Sequence, residues 1–265
     1  MKVSENIKYY CREDISKAIF EAAQGREIQV WFFDRVGSRP EVLEYLREVG
    51  DFARKGASSF HCSEERWEDA RRLSPNLTPS ELNNMRVGWD LVLDVDFPDF
   101  NISKQIAFEI CKVLEEQGVS PGVKFSGNKG FHIIVLWEVM PHGVINGVDM
   151  KDGFSNVGAA VLNYIKFLIT KPLLSKFLKG KDVKEVCETY NINREDVVKI
   201  MQGKNEEAIL NVAEKLFANI DFSLTSSRHM FRMPYSLHEK SGLCSLPIEV
   251  SQILDFEKTS PTDKR

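Results

Sequence analysis

Two aspartates at the end of an apolar stretch are the first residues in this sequence that could do chemistry. The stretch Trp89–Phe97 reads WDLVLDVDF, and its odd-numbered positions are all apolar, which is the alternation of a β-strand. Asp94 and Asp96 then share one face, with their Cα atoms roughly 6.5 Å apart at about 3.3 Å of rise per residue. Adjacent carboxylates repel each other unless they share a proton or bind a divalent cation, and oxygen ligands suit Mg²⁺ or Mn²⁺. A polar strand face in water would show the same pattern.

A glycine-containing loop, Ser126–His132, follows some thirty residues later with the sequence SGNKGFH. Apolar stretches on both sides predict two strands joined as a hairpin. Gly127 and Gly130 allow a tight turn and close approach of a ligand, and Lys129 supplies a cation suited to a polyphosphate. The spacing matches neither the Walker loop nor the dinucleotide-binding glycine pattern. Taken alone, the loop fits a plain hairpin turn as well, and His132 fits a buried core residue.

A third carboxylate, Asp221, lies in the predicted strand Ile220–Thr225, and a basic segment follows it. Alone, Asp221 fits either a ligand or a carboxylate at a strand edge. The basic segment could neutralise a triphosphate, although a charged loop in solvent would have the same composition. Its cationic and imidazole side chains are Arg228, His229, Arg232, His238 and Lys240.

The composition is that of a soluble globular protein of 265 residues. A net charge of −4 and a pI near 5.8 argue against a protein that coats nucleic acid through overall charge, although a local basic cleft is compatible with them. The five cysteines are scattered without zinc-binding spacing, so no zinc is predicted and a reducing compartment is expected. Since no run of about 18 apolar residues occurs, we expect a cytoplasmic protein with no membrane association.

Predicted strands and helices surround these residues. After the aspartate strand, a helix capped by Asn101 or Ser103 and ended by Gly118 leads into the first hairpin strand. This order predicts a right-handed βαβ crossover. Before the aspartate strand, the patterns predict a helix up to Gly25, a strand over Glu27–Arg35, a helix over Glu41–Lys55, a strand over Ala57–Ser63, and helix plus loop over Glu64–Leu82.

From Asn156 to about Gly203 the sequence is helical, with an expected interruption at Pro172, and Glu206–Ala218 continues as helix. We interpret this stretch as a helical insert. A helix-turn-helix reader of DNA is the alternative, but no basic recognition face is evident. The tail from Lys258 to Arg265 is polar, and disorder is expected there.

Three motifs in this order resemble those of the archaeo-eukaryotic primases, most closely the small catalytic subunit of DNA primase. DLVLDVDF resembles the hydrophobic strand that ends in DxD, and KFSGNKGFH resembles the SGxxGxH motif. IDFSLTSSRHMFRMPYSLHEKSGL resembles the third motif, and its SLHEKSGL string is the most specific part. FHCSEERW, before the first motif, is a weaker likeness. The resemblance extends from about Phe60 to Ile248, apart from the helical stretch.

The resemblance implies a polymerase-type nucleotidyl transferase that makes RNA or DNA on a template with two metal ions. Asp94, Asp96 and Asp221 would hold the Mg²⁺ or Mn²⁺ ions. The substrates would be nucleoside triphosphates and a single-stranded DNA template or primer-template, and the protein partner a large primase subunit or a repair ligase. The residues implied to bind the nucleotide are Ser126, Asn128, Lys129, His132, Arg232, His238 and Lys240.

The implied fold is α+β, a primase-polymerase catalytic core with an RRM-like βαβ half, a mixed or antiparallel sheet and a helical insert at about 156–218. One catalytic domain would span 1–257. The chain departs from the family pattern in lacking a zinc knuckle, in being short, and in having Asn128 and Lys129 where relatives often have arginine, which loses bidentate phosphate geometry. The rival functions are a non-catalytic accessory subunit that binds nucleic acid or nucleotide, an end-joining repair polymerase, and a two-metal nuclease or phosphohydrolase.

Overall fold

The computed structural model describes residues 3–179, 181–203, 206–217 and 227–258. The helices in these ranges are α1 (Val3–Tyr10), α2 (Glu13–Ala23), α3 (Arg47–Arg54), α4 (Pro79–Met85), α5 (Phe100–Glu116), α6 (Phe154–Phe177), α7 (Val183–Tyr190), α8 (Arg194–Met201) and α9 (Glu206–Leu216). The strands are β1 (Ile28–Phe32), β2 (Ala57–Ser63), β3 (Glu65–Trp67), β4 (Arg86–Trp89), β5 (Leu91–Val95), β6 (Gly122–Phe125), β7 (Phe131–Val135), β8 (Val144–Ile145), β9 (Val148–Asp149), β10 (Met230–Arg232) and β11 (Pro247–Ile248).

A four-stranded sheet carries the first two motifs, in the order β11-β6-β7-β5. β7 lies between β6 and β5 and is antiparallel to both, so β5 and β6 run in the same direction with α5 connecting them. The predicted hairpin of β6 and β7 is confirmed. In the βαβ unit, β5 and β6 are not neighbours, because β7 lies between them. This register sets His132 directly opposite Asp94 on one side and opposite Lys124 on the other.

A second sheet, in the order β1-β2-β10, faces the first. β2 is its central strand and is antiparallel to both neighbours. The strand β10 belongs to the third motif, where the sequence predicted only a loop-rich stretch. Two short antiparallel pairs, β3 with β4 and β8 with β9, complete the strands. The α+β prediction is confirmed by this arrangement of sheets and helices.

The two faces of β5 contribute to two different hydrophobic cores. Leu91, Leu93 and Val95 lie in the core that α5 and the helices α6 to α9 share. Val92 lies in the other core, together with Phe60 of β2 and residues of the third motif. The even-numbered face of β5, which also carries Asp94, is therefore turned toward the second sheet.

The helix α6 continues through Pro172, contrary to the predicted interruption. Proline cannot donate the backbone hydrogen bond of an α-helix, but α6 contacts α5 and α9, and buried residues such as Ile169 and Leu173 on both sides of the proline hold it in the core. Packing energy offsets the lost hydrogen bond here. Among the described helices, α6 alone is long and apolar enough to cross a bilayer, and its buried face is that of a core helix.

The predicted aspartate strand is in fact two strands, broken at Asp90. This carboxylate is almost fully buried and forms salt bridges with Arg26 and, at 3.0 Å, with Arg66. Its backbone N–H donates to the carbonyl of Glu64, so the chain changes sheet partners at this residue. The second strand ends at Val95, and Asp96 lies just beyond it rather than within it.

Several other boundaries differ from the sequence prediction. The cap of α5 is Asp99, whose carboxylate accepts from the N–H of Asn101 at 2.8 Å, and neither Asn101 nor Ser103 holds that position. The helix predicted over 41–55 is limited to α3, the segment after Ser63 contains the unpredicted β3, and α1 precedes the first predicted helix. The predicted strand at 220–225 and the tail beyond Lys258 lie outside the described residues.

Candidate active site

The two aspartates of the first motif open onto one cleft of about 190 Å³ between the two sheets. Asp94 is the penultimate residue of β5, and 38% of its side-chain surface is exposed. Asp96 follows the strand and is exposed. The residues that line this central cleft are His61, Glu64, Val92, Asp94, Asp96, Ser126, Asn128, His132, His229, Met230, Phe231, Arg232 and His238.

The glycines of the second motif allow the loop to pack against the chain itself. A Cβ added at Gly130 would lie 1.8 Å from the carbonyl oxygen of Val95, at the end of β5. Gly127 has φ +94°, and a Cβ there would meet His238 at 3.1 Å. Only glycine fits such contacts, so these two positions bring the loop against the first and third motifs at once. The sequence predicted that these glycines allow close approach of a ligand. In the structure, the groups that approach them are the backbone of Val95 and the side chain of His238.

Ser126 organises the loop between β6 and β7. Its hydroxyl accepts from the N–H of Gly130 at 3.3 Å and, more weakly, from that of Asn128 at 3.4 Å. The N–H of Ser126 donates to the carbonyl of Gly130 at 2.9 Å, which closes the turn. As a result, the side chains of Ser126 and Asn128 line the central cleft, whereas Lys129 is exposed and is not among the lining residues.

His132 is buried beside the first aspartate, with its Nε2 3.6 Å from Oδ1 of Asp94. Burial, together with the nearby charges of Lys124 and Arg232, lowers the pKa of His132 well below its ordinary value. His132 is therefore a neutral imidazole at physiological pH. Behind it, the Nζ of Lys124 lies 2.7 Å from His132 Nδ1. Lys124 opens the KFSGNKGFH string but was not among the predicted site residues, because nothing distinguishes it from other lysines on strands.

The third motif contributes Arg232 from β10 and His238 from the turn after it. Arg232 is buried, and its guanidinium donates to the carbonyl of Leu237 at 2.9 Å and to Glu239 at 2.8 Å. Burial, and then the charge of Arg232, lowers the pKa of His238 to about 4. The Nδ1 of His238 accepts from two backbone N–H groups at 3.2 Å, so its single proton is on Nε2.

Three titratable residues of the central cleft, His61, Glu64 and His229, were not among the predicted metal or nucleotide ligands, although His229 belongs to the basic segment of the third motif. Glu64 is 1% exposed, and burial raises its pKa to about 7. One of its oxygens lies 2.9 Å from Nδ1 of His229, and the other has no hydrogen-bond partner among the described residues. The FHCSEERW likeness covers His61 and Glu64, so a signal for them existed, but no single residue in that string could be singled out.

A buried ionic cluster behind the cleft holds the start of the third motif. Glu27 is fully buried and receives hydrogen bonds from Arg39 at 2.8 and 3.0 Å and from Arg228 at 3.0 Å. Burial opposes the ionisation of Glu27, but the hydrogen bonds from Arg228 and Arg39 hold its pKa below the ordinary value. Arg228 has φ +63°, and its backbone N–H donates to Glu65, which also receives Arg86. This stretch is therefore an anchored segment and not a solvated basic loop.

The structure brings most of the predicted site residues together. Asp94, Asp96, Ser126, Asn128, His132, Arg232 and His238 all line the central cleft. Lys129 and Lys240 are exposed and do not line it, and Asp221 lies outside the described residues. The roles assigned to all ten residues stay predictions.

The donor set of the cleft fits a hard divalent cation. Asp94 and Asp96 supply carboxylate oxygens from adjacent positions, and Mg²⁺ is commonly held by one or two carboxylates together with waters and substrate phosphates. Within the described ranges, no group of three or more His, Cys, Asp or Glu side chains is arranged to hold a metal ion. The predicted third ligand, Asp221, is not in those ranges.

Most of the sequence that forms the central cleft matches the model of one protein family. The model of the DNA primase small subunit matches residues 93–250, which is more than half of the chain and includes the two aspartates of the first motif and the whole of the second and third. The chain belongs to the DNA primase small subunit family. The resemblance inferred from the motifs is confirmed.

Curated relatives in the archaea extend this assignment. The primase small-subunit protein PriS of Pyrobaculum islandicum is 26% identical over 266 residues, covering 92% of this chain and 76% of that protein. PriS of Thermoplasma volcanium is 28% identical over 65% of this chain and 56% of that protein. An uncharacterized protein of Methanocaldococcus jannaschii, MJECS07, is 27% identical over 56% of this chain, but the match spans only 33% of that protein.

A solved structure shows the same fold. The polymerase domain of Mycobacterium tuberculosis Ligase D, determined in complex with DNA, superposes with a TM-score of 0.53 at 13% identity. The match covers 99% of this chain and 86% of that chain. The helical stretch and both sheets are therefore parts of a primase-polymerase type of fold.

Proposed function

We propose that this primase small-subunit homologue is a template-directed nucleotidyl transferase, a DNA primase or primase-polymerase that joins nucleoside triphosphates into RNA or DNA. One observation carries the proposal. Two carboxylates from the first motif and the hydrogen-bond donors of the second and third motifs open onto a single cleft, although they come from three separate parts of the chain. A carboxylate pair facing phosphate-binding donors is the arrangement that phosphoryl transfer requires.

In this function the side chains of the cleft bind and orient the incoming triphosphate. His238 is a hydrogen-bond donor from its Nε2 atom, and His132 turns its imidazole toward the cleft. Ser126 and Asn128 offer a hydroxyl and an amide, and Arg232 offers a cation shared with Glu239. A new bond forms between the primer 3′-oxygen and the α-phosphorus, and the bond from that phosphorus to the bridging oxygen breaks. Pyrophosphate leaves, and the hydroxyl proton passes to solvent. Positioning and charge neutralisation supply most of the acceleration in such reactions.

Asp94 and Asp96 would hold the divalent cation, with Asp221 as the predicted third ligand. When bound, Mg²⁺ or Mn²⁺ lowers the pKa of the attacking hydroxyl and neutralises charge on the pyrophosphate. Because Asp96 is exposed and Asp94 is partly exposed, water and substrate oxygens can also reach a cation held by these carboxylates. Placed at the end of β5, they are held by the sheet on one side and by the close contact of Gly130 on the other.

The nucleic-acid substrate would be single-stranded DNA template, with or without a primer. An overall charge of −4 gives little general attraction for a polyanion. A large primase subunit or a repair ligase is therefore the partner we propose for holding the template. The Pyrobaculum and Thermoplasma relatives are DNA primase small subunits, which supports the first of these.

The test is incorporation of labelled nucleotide on a single-stranded template, offered with and without primer, with ribo- and deoxyribonucleotides and with Mg²⁺ or Mn²⁺. We expect metal-dependent lengthening of the product, which Asp94→Asn abolishes and which Asp255→Asn, at an exposed position, leaves unchanged. Products made without primer would identify a primase, and products made only with primer would identify an extending repair polymerase. Release of nucleotides from labelled DNA would identify a nuclease instead, and binding without incorporation would identify an accessory subunit.

A further inference from the structure

A buried lysine, Lys124 of β6, lies directly behind the cleft and has no role in the proposed function. Only 2% of its surface is exposed. Its Nζ has three partners: Nδ1 of His132 at 2.7 Å, the carbonyl oxygen of Arg232 at 2.7 Å and the hydroxyl of Ser245 at 2.9 Å. One atom thus contacts residues of the second motif, the third motif and the segment that follows.

The hydrogen atoms around Nζ can be assigned from the chemistry of these partners. The carbonyl of Arg232 can only accept. Ser245 donates its single hydroxyl proton to the carbonyl of Phe125 at 3.1 Å, so its oxygen also accepts from Lys124. Below pH 7, where Nζ is an ammonium group with three hydrogens, the third is directed at Nδ1 of His132. This nitrogen must then be an acceptor.

The opposite side of the His132 ring leads to the same assignment. Its Nε2 faces Oδ1 of Asp94 at 3.6 Å. A lone pair on Nε2 would point at the lone pairs of a carboxylate, whereas an N–H there is attracted to it. With Nδ1 accepting from Lys124 at 2.7 Å, the ring proton is on Nε2, where it faces Asp94.

We propose that Lys124 is a positioning residue that fixes His132 as the Nε2–H tautomer, so that His132 presents a hydrogen-bond donor to the central cleft. The proposal rests on the proposed function for the identity of the acceptor, a triphosphate oxygen of the incoming nucleotide. The same ammonium donates to the backbone carbonyl of Arg232. One buried side chain therefore positions both His132 on β7 and the backbone of β10 that carries the Arg232 guanidinium.

The tautomer is measured directly by ¹⁵N NMR of histidine-labelled protein, in which two-bond couplings distinguish a protonated from an unprotonated ring nitrogen. Because burial lowers the pKa of Lys124 to about 7, spectra are recorded at pH 6. The wild-type protein is expected to show His132 with Nε2 protonated and Nδ1 unprotonated. A His132 signal with the proton on Nδ1 would overturn the proposal without any variant and without any measurement of activity.

Lys124→Met removes the donor while keeping a similar length and apolar stem. We expect a mixture of His132 tautomers, a rise of about tenfold in KM for the nucleoside triphosphate, and an unchanged affinity for template. A rise of about tenfold in KM corresponds to the loss of one hydrogen bond to an oriented group. Lys104→Met is the matched control, since Lys104 is a buried lysine on α5 whose Nζ donates to Leu254, away from the cleft. It should change neither the tautomer nor KM.

The outcomes separate this inference from the proposed function. If wild-type protein fails to incorporate nucleotide but shows the Nε2–H tautomer that Lys124→Met alone disturbs, the proposed function is wrong and the positioning role stands. If incorporation is normal and Lys124→Met leaves both the tautomer and KM unchanged, the positioning role is wrong. Should Lys124→Met not fold, the wild-type spectrum still decides.

Discussion

The pH dependence of stability should reveal the buried carboxyl group of Glu64. Its side chain is 1% exposed, and burial raises its pKa from an ordinary 4.5 to about 7. Below pH 4.5 the group is protonated in both folded and unfolded protein, so its full stabilising contribution is present there. As pH rises through 7, the folded protein must ionise a desolvated carboxyl, and that contribution is lost.

The expected magnitude follows from the two pKa values. A difference of one pKa unit corresponds to about 1.4 kcal/mol, so ionisation of Glu64 costs the folded state about 3 kcal/mol above pH 7. Glu64→Gln removes this titration and keeps an acceptor for His229. The free energy of unfolding of Glu64→Gln, relative to the wild type, should therefore increase by about 2 to 3 kcal/mol between pH 5 and pH 8.

Urea denaturation at both pH values, in EDTA, measures this difference, and titrating groups that do not contact Glu64 cancel between the two proteins. Glu68→Gln is the control, because Glu68 lies on the same segment but is exposed. If the Glu64→Gln difference is independent of pH, the carboxyl is not desolvated in the folded state and the reasoning is refuted.

Three further perturbations test the packing that places the cleft. Glu27→Gln leaves two largely buried guanidinium groups without their carboxylate and should lower the free energy of unfolding by about 3 kcal/mol in urea; a loss below about 1 kcal/mol would contradict the anchoring role. Gly130→Ala forces a Cβ against the carbonyl of Val95 and should greatly reduce nucleotide incorporation, whereas Gly122→Ala, with its nearest contact at 3.7 Å, should not; equal rates would disprove the steric argument. Ile110→Ala, at a fully buried position of α5, should cost 2 to 5 kcal/mol, and calorimetry that finds an unchanged Tm would place Ile110 outside the core.

The parts of the site that the sequence predicted are those encoded locally. Alternation in WDLVLDVDF predicted a strand with Asp94 toward one side, and paired glycines between apolar stretches predicted the β6–β7 hairpin. The pairing of β6 with β7 follows from that hairpin, whereas the pairing of β7 with β5, which sets His132 opposite Asp94, was not predicted. The family resemblance supplied the rest of the predicted residues.

The parts that the sequence did not predict depend on partners far away in the chain. Glu27 and Arg228 are 201 residues apart, and nothing near either of them shows that a charged side chain will be buried. The basic segment of the third motif therefore had the composition of a solvated loop. Pro172 is the opposite case, since the local signal for a helix break was clear and tertiary packing overrode it.

The central claim is that Asp94 and Asp96 hold a divalent cation beside the triphosphate of an incoming nucleotide. Crystals grown with Mn²⁺ and a non-hydrolysable nucleoside triphosphate would test it through the anomalous scattering of manganese. We predict a manganese peak within coordination distance of both carboxylates, with the triphosphate on Ser126, His132 and Arg232. A triphosphate bound elsewhere, or manganese absent from these two carboxylates at saturating concentration, would contradict it.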